Sequence, residues 1–237
     1  MAGIVNAADG NECPECNRPI RPCRDCELHR CRQCNCHVRI DADATVVVPD
    51  VSASEIAHNV GTIERPADEE GLAFGKVFEE AYAKYWYRRK HGGFDGWGSL
   101  THAYYPKRAF GRRVAAMLRD RDIYSDEYVA HAVRLFSAFL AADVRGLTPA
   151  TRHRPHGNLV VYAKPDLAER SADPSLTEFK TAPIDEYARI QTAVMAWVFD
   201  EPIRLVGART DQQNGWVEVE SERVDPDSDP IETFRSA

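Results

Sequence analysis

Apolar residues recur every three to four positions through Phe74, Val77, Phe78, Ala81 and Tyr85, which predicts a helix from about Pro66 to Lys90. Pro66 suits its first turn, and Gly92-Gly93 stops it. A second helix is expected over Ala109–Arg119, with Phe110, Val114, Met117 and Leu118 on one face. Ser125 caps a third, whose Val129, Ala132, Val133, Phe136, Phe139 and Leu140 form a broad apolar stripe ending before Gly146 and Pro149. A short helix begins in VSASEIAH, with Ser52 or Ser54 as its cap.

Beyond Pro149 the period changes. Leu159–Ala163 (LVVYA) and Leu176–Thr181 read as strands, and Pro183 opens a helix with Tyr187, Ile190, Gln191, Val194 and Val198 on one side. Ile203–Arg209 and Trp216–Val224 read as two more strands around the hairpin signal Asn214-Gly215. Thr45–Val48, closed by Pro49, is a short strand or linker, and the acidic tail after Val224 is loose. Helices followed by strand–strand–helix–strand–strand predict an α/β or α+β core. The expected organisation is a head over 1–40, a linker with an opening helix over 41–65, and a main domain over 66–237.

With 237 residues, 43% hydrophobic, 28% charged and a net charge of −7, the chain holds one core plus a small appendage and is not a disordered polymer. No apolar run approaches the ~18–20 residues of a membrane helix, so no membrane partner is expected. The opening MAGIVNAADGNEC has no basic start or apolar stretch, which points to the reducing cytoplasm.

All seven cysteines fall within the head, spaced Cys13-x2-Cys16-x6-Cys23-x2-Cys26-x4-Cys31-x2-Cys34-x-Cys36, with His29 and His37 nearby. A dense cluster in a cytosolic chain reads as metal binding, and two CxxC knuckles complete a tetrahedral Zn²⁺ site. The plainest arrangement joins Cys13, Cys16, Cys23 and Cys26 on one zinc, and Cys31, Cys34 and Cys36 with His29 or His37 on a second. An interleaved one joins Cys13 and Cys16 to Cys31 and Cys34. Spacing does not choose between them. Few apolar residues lie in the head, so metal must supply most of its folding energy. Its arginines are nearly cancelled by its acids, leaving nucleic-acid binding, a protein partner or a purely structural role open.

Glu178 and Lys180, two apart in TEFK, share one face of a strand, and pairing with LVVYAKPD brings Asp166 beside them. Two carboxylates at one point suit a hard cation such as Mg²⁺ or Mn²⁺, and a neighbouring lysine suits a phosphate or an attacking water.

The order of these residues resembles the PD-(D/E)XK nuclease superfamily, within it the RecB-like exonucleases, a group that includes the CRISPR-associated exonucleases. Asp166 in KPDL matches the motif Asp, Glu178 and Lys180 in EFK match the ExK half, and Gln191 in YARIQTAVMAW matches the following-helix Gln. VSASEIAH is similar to the branch's opening helix. GKVFEE is similar to its G-x-x-H-E segment, with Gly75 and Glu79 aligned, and the likeness spans roughly Ser52 to Val224. It departs at Phe78, where the family has a metal-binding His that only Glu79 or Glu80 could replace, and at Met195, where it has a Tyr, with Tyr187 a turn earlier.

The resemblance implies a restriction-endonuclease-like core, a mixed sheet flanked by helices. It also implies a DNA exonuclease using Mg²⁺- or Mn²⁺-bound water, with Asp166, Glu178 and Glu79 holding metal, Lys180 positioning water or phosphate, and Gln191 orienting substrate or Lys180. RecB-like relatives can carry an iron–sulfur cluster on one cysteine before and three after the core. None follows the core here, so zinc is the expectation.

Between Tyr82 and Arg121 ten Lys or Arg face two Asp. Arg88, Arg89, Lys90, Lys107, Arg108, Arg112 and Arg113, with Tyr187 and the interleaved Tyr85, Trp86, Tyr87, Trp97, Tyr104, Tyr105 and Phe110, suit single-stranded DNA or duplex ends. Two other readings stand beside the nuclease: a non-catalytic nucleic-acid binder on the same fold, motivated by Phe78, and an adaptor that docks proteins through its zinc module.

Overall fold

A strand followed by a helix and a parallel strand forms the frame that carries the central residues. The computed structural model describes residues 12–40, 45–60, 69–91, 106–211, 214–226 and 230. In the second half of the chain these are β6 (Arg152–His156), β7 (Leu159–Ala163), β8 (Leu167–Ala168), β9 (Leu176–Phe179), α5 (Glu186–Phe199), β10 (Ile203–Thr210) and β11 (Val217–Val224). The first half holds β1 (Arg21–Pro22), β2 (His29–Cys31), β3 (Cys36–Ile40), β4 (Thr45–Val48), β5 (Asp50–Ser52), α1 (Ala53–Val60), α2 (Glu69–His91), α3 (Pro106–Arg119) and α4 (Asp126–Ala141). The fold is mixed α/β, with three sheets among the described residues: β1-β2-β3-β4, β11-β10-β9-β8 and β5-β7-β6.

Strands β9 and β10 are parallel, with Leu176 opposite Ile203, so a crossover must join them, and α5 supplies it. Nearly every position of α5 from Ile190 to Phe199 is buried, because it packs against α1, β7 and β10. It begins three residues later than Pro183 suggests. Asp185, in extended backbone, caps it by accepting the Ala188 N–H at 2.8 Å. Gly207 lets the segment before α5 lie on β10, since a Cβ there would stand 2.8 Å from the Ile184 backbone nitrogen. The Ala208 N–H donates to the Ala182 carbonyl at 3.0 Å between these two segments.

α1 carries a reciprocal cap. The Ser52 hydroxyl accepts the Glu55 N–H at 3.0 Å while Glu55 accepts the Ser52 N–H at 2.7 Å, which assigns the cap to Ser52 and frees Ser54. Ser125 caps α4 as its sequence indicates. Strands β5 and β6 were not expected, and the strand anticipated through Thr181 ends at Phe179. The stop at Gly92-Gly93, Trp97 and Tyr104-Tyr105 lie outside the described residues. Among the described residues no helix is long and apolar enough to cross a membrane.

The three helices α2, α3 and α4 meet β9 in an aromatic core. Phe78 is wholly buried, with its ring centroid 5.6 Å from those of Tyr82, Phe110 and Phe139 and 6.1 Å from that of Phe179. Truncating such a ring removes its transfer energy and leaves a cavity, so Phe78→Ala is expected to lower stability by about 3–5 kcal/mol in urea melts. An unchanged midpoint would contradict that packing.

Candidate active site and metal centres

Alternation along β9 sends Phe179 into the aromatic core and turns Leu176 and Glu178 toward the layer of α1 and α5. Lys180, one residue past the strand, keeps its register because its N–H donates to the Val206 carbonyl at 2.8 Å. Its ammonium donates to Glu178 Oε1 at 2.5 Å and to Gln191 Oε1 at 2.8 Å. Gln191 in turn donates through Nε2 to Ser54 Oγ at 2.7 Å, and the Tyr187 hydroxyl donates to the Ser54 carbonyl at 3.4 Å. Gln191 therefore ties α5 to Lys180 and to Ser54 of α1.

Asp166 follows β7. Its Oδ2 accepts the Phe179 N–H at 2.9 Å, which pins the carboxyl beside β9. Glu79 reaches it from α2. The residue is exposed, and its charge is felt at Asp166. Burial first, then the charges of Glu178 and Glu79, raises Asp166 well above the usual carboxylate range. Burial and the Glu178 charge raise Glu79 as well. Burial works against the Lys180 ammonium, but Glu178 and Asp166 outweigh it and hold its pKa above the ordinary lysine value. Glu178 is 3% exposed, and its Oε2 is buried with no hydrogen-bond partner. An unpaired buried carboxylate oxygen costs about 1–3 kcal/mol or more.

These shifts fix the sign of a pH effect. A carboxyl whose pKa is raised on folding binds its proton more tightly in the native state, so its contribution to stability falls as pH rises above the ordinary carboxylate range. Without added divalent cation, Asp166→Asn is expected to melt above wild type near neutral pH, by about 2–4 °C for each kcal/mol relieved. That gap should narrow as the pH falls toward about 4. Calorimetry across pH checks this, and a variant less stable than wild type at neutral pH would refute it.

Glu79, Asp166, Glu178, Lys180 and Gln191 thus come together, while Phe78 points into the aromatic core and offers no ligand. Ser54 was not anticipated as a member. The Ser-x-x-Glu capping box at Ser52 and Glu55 was the available signal, because it leaves Ser54 free. The exposed Lys164, whose charge is felt at Glu79, was also missed.

The basic residues lie elsewhere on the helical layer. Lys90, Lys107, Arg108 and Arg112 are exposed, and Arg88 and Arg113 are half-buried. Arg89 is exposed but donates to the Tyr85 hydroxyl at 2.9 Å and lies 5.4 Å from the Trp86 ring centroid. Tyr85 and Phe110, counted among the interleaved aromatics, are core residues.

In the head, the sulfurs of Cys13, Cys16, Cys31 and Cys34 lie within 4.8 Å of one another, as do the ligand atoms of Cys23, Cys26 and His37. The interleaved arrangement is therefore the one adopted, and the sequential pairing of Cys13 and Cys16 with Cys23 and Cys26 is not. Each group could bind a metal such as zinc. Both knuckles of the four-thiol group end in an asparagine with positive φ, Asn17 at 55° and Asn35 at 53°. The Cys34 N–H donates to Cys31 Sγ at 3.5 Å and, as the largest influence, draws the Cys31 thiol down to about 7. Cys36 belongs to neither group, although its sulfur is 4.0 Å from that of Cys13, and burial pushes its thiol up to about 12. Adjacent residues on β3 point to opposite faces, which is why Cys36 and His37 face different centres. Among the described residues these two groups are the tightest donor sets; the three carboxylates near β9 are spaced more widely.

No family model, curated protein or solved structure matches the chain.

Proposed function

We propose that the chain is a metal-dependent DNA nuclease of the PD-(D/E)XK type. On this reading it has a restriction-endonuclease-like core of the RecB-like branch, acts as an exonuclease, and carries a zinc-bound head. The observation that carries the reading is Glu178 Oε2, a buried carboxylate oxygen without a donor, in an acidic group with Asp166 and Glu79. Such an atom is explained by a cation that it binds. Asp166, Glu178 and Glu79 would hold Mg²⁺ or Mn²⁺, with Glu79 replacing the ligand that Phe78 lacks. The bound ion supplies a Lewis acid and a water of lowered pKa. Lys180 keeps its proton, and Gln191 and Glu178 hold its ammonium where it meets a phosphate oxygen gaining charge in the transition state. Gln191 passes this constraint to Ser54 and so to α1.

The test is incubation of end-labelled single- and double-stranded DNA with Mn²⁺, with Mg²⁺ and with no added divalent cation. Cation-dependent shortening from the ends supports the reading. Binding without cleavage under every condition would leave the non-catalytic binder. Exposed Lys107, Arg108 and Arg112 are proposed to meet DNA phosphates. Changing Arg108 and Arg112 to Ala should weaken binding similarly for all sequences and reduce the slope of log affinity against log salt by about one for each phosphate no longer neutralised. Fluorescence anisotropy at several salt concentrations reads this, and an unaltered slope would remove these residues from the interface.

A further inference from the structure

The second metal group in the head has three ligands, Cys23, Cys26 and His37, whereas a closed structural zinc site has four. We infer that His153, from β6 in the main domain, is the fourth, so that the ion staples the head to the core. The inference rests on reading the head as a metal module.

His153 is 6% exposed, and its ring centroid stands 4.9 Å from that of His37. Two imidazoles bound at about 2.0–2.1 Å to one tetrahedral ion have centroids roughly 5 Å apart. The outer hydrogen bonds of the two rings are reciprocal. His37 Nδ1 donates to Asp50 Oδ1 of β5 at 2.7 Å, and His153 Nδ1 donates to Asp25 Oδ2 at 3.3 Å. Asp25 sits inside the Cys23-x2-Cys26 knuckle, so the head holds the main domain's histidine through a carboxylate, and β5, paired with β7, holds the head's in the same way. A carboxylate on Nδ1 fixes the tautomer that leaves Nε2 as the ligand atom, the usual outer arrangement of a zinc-bound histidine. His37 Nε2 already lies 3.4 Å from Cys23 Sγ.

Alternation along β6 accounts for the placement. Arg152 and Arg154 donate to the Phe199 and Trp197 carbonyls at the end of α5, which turns His153 between them to the opposite face. His153 is not yet within the 4.8 Å group, so binding draws its ring a short way inward.

The full-length chain, loaded with zinc, is expected to carry two ions in the head by mass spectrometry of metals. His153→Ala should lose the second ion to a chelator at least about 100-fold more readily than wild type. His153→Cys, loaded with Co²⁺, should keep both ions and gain thiolate-to-cobalt absorption by about one part in six, because a seventh thiolate joins six. A purely structural histidine would give no such gain. Retention of both ions by His153→Ala with wild-type chelator resistance, or no added absorption in His153→Cys, overturns the inference. A wild-type chain with a single head ion overturns the reading of the second group itself.

Discussion

Lys180→Ala should cut DNA about 10²–10³-fold more slowly than wild type in single-turnover assays, with DNA affinity changed by less than about threefold. The size follows from the position of the ammonium. It is held at 2.5 Å from Glu178 and 2.8 Å from Gln191, and its raised pKa keeps it charged through the neutral range. A preorganised charge of that kind acts chiefly on the transition state, so the loss falls on the rate and not on binding. Glu178→Gln is expected to lose at least as much, because it removes the charge that steadies Lys180 and that, on the proposed reading, would hold the cation. Gln191→Leu should lose less, about tenfold, since Lys180 retains Glu178. Equal activity in wild type, Lys180→Ala and Glu178→Gln would end the enzymatic reading and leave a nucleic-acid binder.

Cys31→Ser should unfold the head while leaving the main domain folded. The head's buried apolar cluster is Cys13, Ile20, Cys31 and Val38, two of which are cysteines of the group that could hold a metal. A structural zinc contributes roughly 10–16 kcal/mol of apparent binding energy in small zinc domains, far more than so few side chains supply. Cys31 is wholly buried within the four-thiol group, so its loss opens that centre. The expected results are loss of at least one bound ion and fast amide exchange across β1, β2 and β3, with protection retained in β9, β10 and α5. Cys36→Ser is the matched control, because Cys36 lies outside both groups, and it should keep the wild-type ion count. Loss of an ion from Cys36→Ser with none lost from Cys31→Ser would contradict the ligand assignment.

Much of this arrangement was legible in the residues. The helices α2, α3 and α4 declare themselves by long apolar periods, and TEFK declares Glu178 and Lys180 as partners because two-residue spacing on a strand allows little else. The strands β5 and β6 did not, for physical reasons. Asp-Val-Ser is too short to show a period. Arg-His-Arg-Pro-His carries a proline that only an edge strand tolerates, and β6 is an edge. α5 starts later than Pro183 suggests because the Asp185 cap, not the proline, sets its first turn. The metal pairing in the head depends on residues far apart in the chain meeting in space, which spacing does not encode. A local sign was nevertheless present: Cys13-x2-Cys16-Asn17 and Cys31-x2-Cys34-Asn35 share an asparagine at the turn position, and Cys23-x2-Cys26-Glu27 does not. His153 meets its partners in distant elements and is not visible from its own neighbourhood, whereas Ser54 is hinted at only by the adjacent capping box that leaves it free.

The central claim is that a divalent cation is held at the unpaired oxygen of Glu178. Crystals of the protein soaked in Mn²⁺ and measured at a wavelength where manganese scatters anomalously test it most directly. A peak is expected about 2.1–2.3 Å from Glu178 Oε2 and from an Asp166 oxygen, with Glu79 directed to the same ion. An empty map at that point, in crystals that take up manganese elsewhere, would contradict it.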